Sequence, residues 1–104
     1  MKERLQLDDA AERELLEAIA WYEDELDGLG LDLLEEFIST ATLVGATPGV
    51  GRVVGDASDG RPIRQFRLKR FPYALVYVEL ADHVRVIAVA HGKRFPDYWR
   101  QRKR

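Results

Sequence analysis

The 104-residue chain has no cysteine, only two histidines, and no apolar run long enough to cross a bilayer. The absence of cysteine excludes disulfide bonds, thiolate nucleophiles and cysteine-based zinc sites. Two histidines, His83 and His91, are too few for a histidine-rich metal centre, and we expect neither a metal nor a cofactor. A membrane span needs ~20 apolar residues, and the first residues do not lead into the apolar stretch of a signal peptide. We therefore expect a soluble, cytoplasmic protein that does not bind a membrane.

What the chain does have is charge sorted by position. Residues 1–60 carry 4 Lys/Arg and 15 Asp/Glu, whereas residues 61–104 carry 12 Lys/Arg and 3 Asp/Glu. The resulting balances of −11 and +9 nearly cancel, so the net charge of −2 conceals a dipolar molecule. Because segregated charges keep their local field, the basic half is expected to attract phosphates or acidic protein surfaces.

The acidic half has the apolar spacing of two helices. Apolar residues recur at helical intervals over residues 11–26 and again over residues 33–44. Asp8 or Asp9 is the expected N-cap of the first helix, and glycines follow both segments. The two segments are predicted to form a hairpin whose core-facing residues are Ala11, Leu15, Ala18, Ile19, Tyr22, Leu26, Leu33, Leu34, Phe37, Ile38, Ala41 and Val44. The carboxylates of the first helix are expected to form a solvated surface.

The basic half has the pattern of β-strands. Residues 63–68, 73–80 and 84–90 are rich in β-branched and aromatic residues, and their brief connections favour an antiparallel meander. Residues 5–7 and 52–54 are shorter extended candidates. Helices first and strands afterwards predict one α+β domain over residues 1–104, with the N-terminal helical hairpin packed on one face of an antiparallel sheet of about four strands.

The second face of this sheet is also expected to be apolar, because the strands predicted at 73–80 and 84–90 are apolar on both sides. Two accounts stay open: the segment around Phe95 to Trp99 folds back over this face, or a partner protein fills a groove there. Residues 100–104 are expected to form a disordered basic tail. A partner that wraps the basic half is expected to bring acidic and apolar residues.

Four segments of the sequence resemble the RelE/ParE superfamily of bacterial toxins from toxin–antitoxin pairs. They are AIAWYE at 18–23, LKRFPYALVY at 68–77, VIAVAHGKR at 86–94 and PDYW at 96–99. In order and spacing they cover nearly the whole chain. The resemblance implies the fold predicted above and a cytoplasmic plasmid-stabilisation toxin without a cofactor. It also implies a cognate antitoxin that neutralises the toxin and through which alone operator DNA is contacted.

The superfamily contains two modes of action. RelE-like members cut messenger RNA in the ribosome with Lys/Arg groups and often a stacking Tyr, whereas ParE-like members lack that set and inhibit DNA gyrase by binding. The RelE pattern has a pair of basic residues at the positions that Gln65 and Arg67 occupy here. It has a further Arg at the position of Ala74. Glutamine and alanine can neither exchange protons nor hold the charge of a phosphorane. The resemblance therefore favours a ParE-like gyrase inhibitor.

Two alternatives to the gyrase inhibitor remain. One is a ribosome-dependent endoribonuclease that uses Arg67, Arg94, Tyr98 and His91 on mRNA. The other is a non-toxic corepressor bound to the antitoxin. Structural roles also compete, since His91 can be a partly buried ring bonded to backbone, and Tyr98 and Trp99 can anchor the C-terminal segment. The residues expected to contact a target or the antitoxin are Arg64, Arg67, Arg85, His91, Lys93, Arg94, Phe95 and Trp99.

Overall fold

The computed structural model describes residues 4–93 and 98–102, and these form two helices and a five-stranded sheet. Helix α1 spans Asp9–Glu25 and helix α2 spans Leu29–Ala46. The strands are β1 (Leu5–Leu7), β2 (Arg52–Asp56), β3 (Pro62–Arg67), β4 (Tyr73–Glu79) and β5 (Val84–His91). Short 3-10 turns cover Pro48–Val50 and Tyr98–Arg102. Neither described helix has the length and apolar character that crossing a membrane requires.

The sheet has the strand order β1-β5-β4-β3-β2. The pairs β2/β3, β3/β4 and β4/β5 are antiparallel, as the short connections predicted. Strand β1 lies parallel to β5, with Leu5 opposite Val84. The α+β prediction, with the hairpin on one face, is confirmed. The sheet nevertheless has five strands rather than about four, and it is mixed, because the long connection from β1 to β5 permits a parallel pair.

Two glycines set the close approach of the helices. Gly28 has a φ of +89°, the left-handed region that glycine adopts without strain. A Cβ on Gly30 would lie 2.6 Å from the carbonyl oxygen of Ile19, so only a glycine lets α2 begin against α1. The carboxylate of Glu23 accepts hydrogen bonds from the backbone N–H groups of both glycines, each at 3.0 Å. The connection is therefore tight.

Two side chains predicted to face the core of the hairpin are exposed instead, so the prediction is wrong for them. Leu26 is exposed because it follows the last turn of α1 with extended backbone angles. Ile38 is 55% exposed because it lies on the outer edge of the apolar stripe of α2. The predicted N-cap is confirmed at Asp8, although its carboxylate makes no capping hydrogen bond and instead binds the guanidinium of Arg85.

The two faces of the sheet are covered differently. Helices α1 and α2 bury the first face, in a core that includes Leu15, Leu33, Phe37, Leu75 and Val86. A bulge in β5 places Tyr77 opposite Val86 and Val76 opposite Ala88, so Ile87 is the extra residue. Both Ile87 and Ala88 then face the second side, where the core comprises Ile63, Val76, Val78, Ile87, Ala88, Ala90 and Trp99.

Trp99 decides between the two accounts of the second face. Its side chain is only 4% exposed and packs in the second core, so the C-terminal segment folds back over the sheet. The guanidinium of Arg100 lies 5.4 Å from the Trp99 ring and reaches β2, where Gly55 leaves room for it. The prediction of disorder from residue 100 is wrong for Arg100–Arg102, because these residues are held in a 3-10 turn. Residues 103 and 104 lie outside the described part.

Candidate functional site: a basic cleft beside the C-terminal segment

A cleft of about 530 Å³ opens where β3 ends, β4 begins and β5 ends. Strand ends and the C-terminal turn each contribute one wall of it. Its polar and aromatic lining consists of Arg52, Gln65, Arg67, Tyr73, His91, Tyr98, Trp99 and Arg100. Among the described residues that line it, none is acidic, so the cleft has a positive potential and suits an anionic or acidic group.

The cleft brings together the positions that the RelE pattern singled out. Arg67 lies opposite Ala74 on the neighbouring strand, and Gln65 lies opposite Arg52. The guanidinium of Arg52 donates to the side-chain oxygen of Gln65 at 3.0 Å. The resemblance therefore pointed to Gln65, Arg67 and Ala74, which share one site, but it missed Arg52, which lies on β2 thirteen residues before Gln65.

His91 lies at the rim of the cleft and is tied to the backbone. The N–H of Lys93 donates to its Nδ1 at 2.9 Å, and the ring meets Tyr73 edge-on with 4.9 Å between ring centroids. The interpretation of His91 as a partly buried, backbone-bonded ring is confirmed. Because Nδ1 accepts a hydrogen bond, only Nε2 of the neutral ring remains to exchange a proton with a ligand.

Glu14 on α1 holds the C-terminal wall of the cleft. Its carboxylate accepts from the Tyr98 hydroxyl at 2.7 Å, from the Arg102 guanidinium at 3.0 Å and from the Val89 N–H at 3.0 Å. Strand β1 pairs with β5 only over Val84–Val86, so the N–H of Val89 lies further along the same edge and is satisfied by Glu14. Glu14 was predicted to be solvated, and that is wrong. Its flanking position beside the core residues Ala11, Leu15 and Ala18 was the signal that separated it from the other carboxylates.

Arg85 makes a bidentate ion pair with Asp8 instead of presenting its charge to a partner. Its Nε and Nη2 donate to the carboxylate at 3.0 and 2.8 Å, and Nη2 also reaches the carbonyl of Arg102 at 3.1 Å. The hydrogen bonds that the guanidinium donates to Asp8 raise its pKa above the ordinary value of an arginine. Arg85 therefore acts as a link between α1, β5 and the C-terminal turn.

The acidic and basic halves are cross-linked by further ion pairs. Arg102 pairs with Glu14, and Arg70 pairs with Glu36 at 3.4 Å. The Glu36 carboxylate also accepts from the backbone N–H groups of Lys69 and Arg70, which fixes the β3–β4 turn against α2. Part of the charge asymmetry of the sequence is thus neutralised within the fold, whereas Arg67 and Arg100 of the basic half line the cleft.

Of the remaining candidates, Arg64 and Lys93 do not line the cleft. Arg64 donates to the carbonyl of Gly51 at 2.8 Å, away from the cleft lining. Lys93 is exposed just after β5. Arg94 and Phe95 lie outside the described residues. The burial of Trp99 agrees with an anchoring role and leaves it little surface for a partner. Within residues 4–93 and 98–102, no group of three or more His, Cys, Asp or Glu side chains could hold a metal ion.

Comparison with known families gives a match over residues 5–96 to the family described as the ParE toxin of the type II toxin–antitoxin system parDE. The match covers most of the chain, so the protein belongs to the ParE toxin family. Among curated proteins nothing matches.

Among solved structures, a chain of the chromosomal ParDE toxin–antitoxin system from P. aeruginosa matches with a TM-score of 0.63 and 16% sequence identity. The match covers 86% of this chain and 95% of that chain. At this identity the likeness establishes a shared fold.

Proposed function

We propose that this protein is a toxin that arrests growth by binding DNA gyrase, and that a cognate antitoxin neutralises it by binding the toxin. The observation that carries the proposal is the composition of the basic cleft. The cleft suits an acidic protein surface, and among the described residues two of the positions that carry cations in the RelE pattern, Gln65 and Ala74, are neutral.

Two neutral residues occupy positions where a nuclease of the RelE pattern has cations. Gln65 is engaged by Arg52, and Ala74 carries no functional group. Of the titratable groups nearby, Tyr98 already donates to Glu14, and Nδ1 of His91 already accepts from Lys93. A cleft of this kind can bind an anionic surface through Arg52 and Arg67 without performing chemistry on it.

The test is a supercoiling assay with purified gyrase, relaxed plasmid and increasing amounts of toxin. We expect the wild-type toxin to inhibit supercoiling, and Arg67→Ala to weaken that inhibition. Arg61→Ala is the matched control, because Arg61 is also exposed but pairs with Asp59 at the far end of β3. Unimpaired supercoiling at high toxin concentration contradicts the proposal.

The cationic lining also fits the phosphates of messenger RNA, which keeps the ribonuclease alternative within the same test. Mapping mRNA 5′ ends in a translating extract distinguishes the two. New ends that disappear in Arg67→Ala would establish the nuclease. If the absence of these two cations is the reason for a lack of cleavage, the double substitution Gln65→Lys and Ala74→Arg should produce RNA cleavage.

Antitoxin binding without growth arrest would instead identify the non-toxic corepressor.

A further inference from the structure

Two loops at one end of the sheet form a cationic surface beside the basic cleft. One is the turn between β3 and β4, residues 68–72, and the other is the exit from β5, where Lys93 follows Gly92. The N–H of Gly92 donates to the carbonyl of Pro72 at 2.8 Å, so the two loops lie side by side. None of their exposed cations lines the basic cleft. We call these cations the cationic rim, and they are Lys69, Arg70 and Lys93.

The backbone of the rim is held in place by contacts within the fold. The carboxylate of Glu36 accepts from the backbone N–H groups of Lys69 and Arg70 and pairs with the Arg70 guanidinium at 3.4 Å. The Glu36 side chain is 12% exposed, whereas the Arg70 side chain is 62% exposed. The N–H of Lys93 donates to Nδ1 of His91 at 2.9 Å. An anion that binds the rim therefore meets loops that are already ordered, which lowers the entropic cost of binding.

The rim keeps its positive charge and continues the charge of the cleft. Within residues 4–93 and 98–102, the ammonium groups of Lys69 and Lys93 make no ion pair. Arg67 lines the basic cleft and also lines a neighbouring cleft together with Lys69 and Arg70. The acidic residues of that neighbouring cleft belong to α2, so the cationic surface ends at the helix.

The rim lacks the apolar anchors of a protein interface. Leu68 and Phe71 in the same turn are 6% and 7% exposed, and the guanidinium of Arg70 lies 5.5 Å from the centre of the Phe71 ring. Of the apolar residues in the turn, only Pro72 is exposed. Protein partners gain most of their affinity from apolar and aromatic anchors that fill pockets. Phosphate groups, in contrast, are bound by exposed cations without such anchors.

The aromatic rings that line the cleft beside the rim are already engaged. Tyr73 packs edge-to-face with His91, and the guanidinium of Arg102 lies 5.1 Å from the centre of the Tyr98 ring. Trp99 is 4% exposed. Recognition of single-stranded nucleic acid depends on aromatic rings that stack on unpaired bases. The phosphates of a duplex, whose bases are already stacked on one another, fit this surface better.

We propose that the cationic rim binds the phosphate backbone of double-stranded DNA without reading its sequence. The inference rests on the proposed binding of gyrase, because the duplex in question is the one that gyrase holds. In that complex Arg67 in the cleft contacts the enzyme, and the rim contacts the DNA beside it. Phosphate contacts fix position and carry no sequence information, so recognition of an operator is a separate matter.

The first measurement needs no gyrase. The purified full-length toxin is titrated into a labelled duplex of about 20 base pairs at several salt concentrations, and fluorescence anisotropy reports binding. Each phosphate contact contributes about 0.9 to the slope of log affinity against log salt. The double substitution Lys69→Ala and Lys93→Ala should therefore lower the slope by about two and the affinity at ~50 mM salt by about tenfold.

Two matched variants show whether charge at the rim is responsible. Arg61→Ala should leave the slope unchanged, because Arg61 is an exposed cation at the opposite end of β3 and pairs with Asp59. Lys69→Arg with Lys93→Arg keeps both charges and should keep the slope. Equal slopes for the wild type and the double alanine variant overturn the inference, and so does a loss of slope in the double arginine variant.

Competitors separate duplex DNA from other anionic partners. Single-stranded RNA of the same length and poly-glutamate of the same charge are each added to the toxin–duplex complex. We expect both to displace the duplex far less well than unlabelled duplex DNA does. Displacement by the RNA as strong as that by the duplex would mean a single-strand site. Equally strong displacement by poly-glutamate would mean a site for acidic protein, and either result overturns the inference.

A second assay connects the rim to gyrase. The double alanine variant should bind gyrase as the wild type does when DNA is absent, but it should inhibit supercoiling less, whereas Arg67→Ala should weaken both. The two proposals fail in different ways. A toxin that does not bind gyrase contradicts the proposed function, while the salt slope still decides whether the rim binds DNA. A toxin that binds gyrase but whose salt slope is unchanged in the double alanine variant contradicts only the role of the rim.

Discussion

The two faces of the sheet are buried by very different amounts of chain. The first face packs against two helices of 17 and 18 residues, whereas the second face is closed by a 3-10 turn of five residues that buries Trp99. The helices α1 and α2 that cover the first face have apolar residues at helical intervals and are joined by a tight connection. The second cover depends on a few polar contacts made from the opposite layer, above all by Glu14. The candidate site therefore lies on the face with the shorter cover, which Glu14 holds from the opposite layer.

The largest expected loss of stability comes from a substitution that opens a cavity in the core under the helices. Leu33 is 1% exposed at the centre of that core, so Leu33→Ala should lower the free energy of unfolding by about 2–5 kcal/mol. Leu31→Ala on the same helix removes an exposed side chain and should stay within about 0.5 kcal/mol of the wild type. Denaturant unfolding measures both. Equal losses for the two variants would show that the first face is not the principal core.

A smaller and more local effect is expected on the second face. Glu14→Ala removes the acceptor for Tyr98, Arg102 and Val89, which should cost about 1–3 kcal/mol and release the C-terminal turn. Trp99 reports the release, since it is buried while Trp21 is already exposed. In a Trp21→Phe background, the fluorescence of Trp99 should shift to the red.

Glu17→Ala is the control for that variant, because Glu17 is exposed on the same helix. A Trp99 emission that stays blue in Glu14→Ala would show that apolar packing alone holds the turn. The polar contacts of Glu14 would then not be what holds the cover of the second face.

The smallest effect concerns a buried hydroxyl on the helix-covered face. The Tyr77 hydroxyl donates to the carbonyl of Pro48 at 2.6 Å and accepts from the N–H of Gly51 at 2.9 Å. Tyr77→Phe should therefore cost about 1 kcal/mol near neutral pH. Gly51 is required at this contact, because a Cβ there would lie 2.3 Å from the hydroxyl.

The same residue predicts a pH dependence. Burial raises the pKa of Tyr77 above its ordinary value of 10.0, so its neutral form is favoured in the folded state. Its contribution is complete below pH 10 and is lost as the pH rises through the folded pKa. The measurement compares the protein that has Tyr77 with the Tyr77→Phe variant. Because burial also raises the pKa of Tyr73, both of these proteins should carry Tyr73→Phe. Above pH 10 the protein with Tyr77 should then lose stability more steeply than its Phe variant. Parallel slopes would contradict the burial effect.

Local patterns in the sequence were sufficient for the helices and the long strands. The intervals over residues 11–26 and 33–44 indicate one helix each and the face that it buries, and the β-branched runs of β4 and β5 indicate one strand each. The resemblance added the positions Gln65, Arg67 and Ala74, which the fold does bring together. Periodicity identified these elements because it depends only on neighbours a few residues apart.

What could not be predicted depends on contacts between distant residues. Strand β1 has three residues, too few to specify a parallel partner across the chain. Asp8 and Arg85 are 77 residues apart, and Glu14 and Arg102 are 88 apart. The sequence showed Asp8 as a candidate N-cap and Glu14 as one carboxylate of a polar helix face, and only the fold showed which cation each one binds. The charge dipole consequently overstated the free charge of Arg85 and Arg102.

The central claim is that this ParE-family toxin acts by binding gyrase and not by cutting RNA. The most direct measurement follows both consequences in the same cells after the toxin is induced, namely plasmid topology and mRNA 5′ ends. Loss of negative supercoiling with unchanged mRNA ends, reversed by co-expression of the antitoxin, is the result the account predicts. Normal supercoiling together with new mRNA ends at ribosome-bound codons would contradict it.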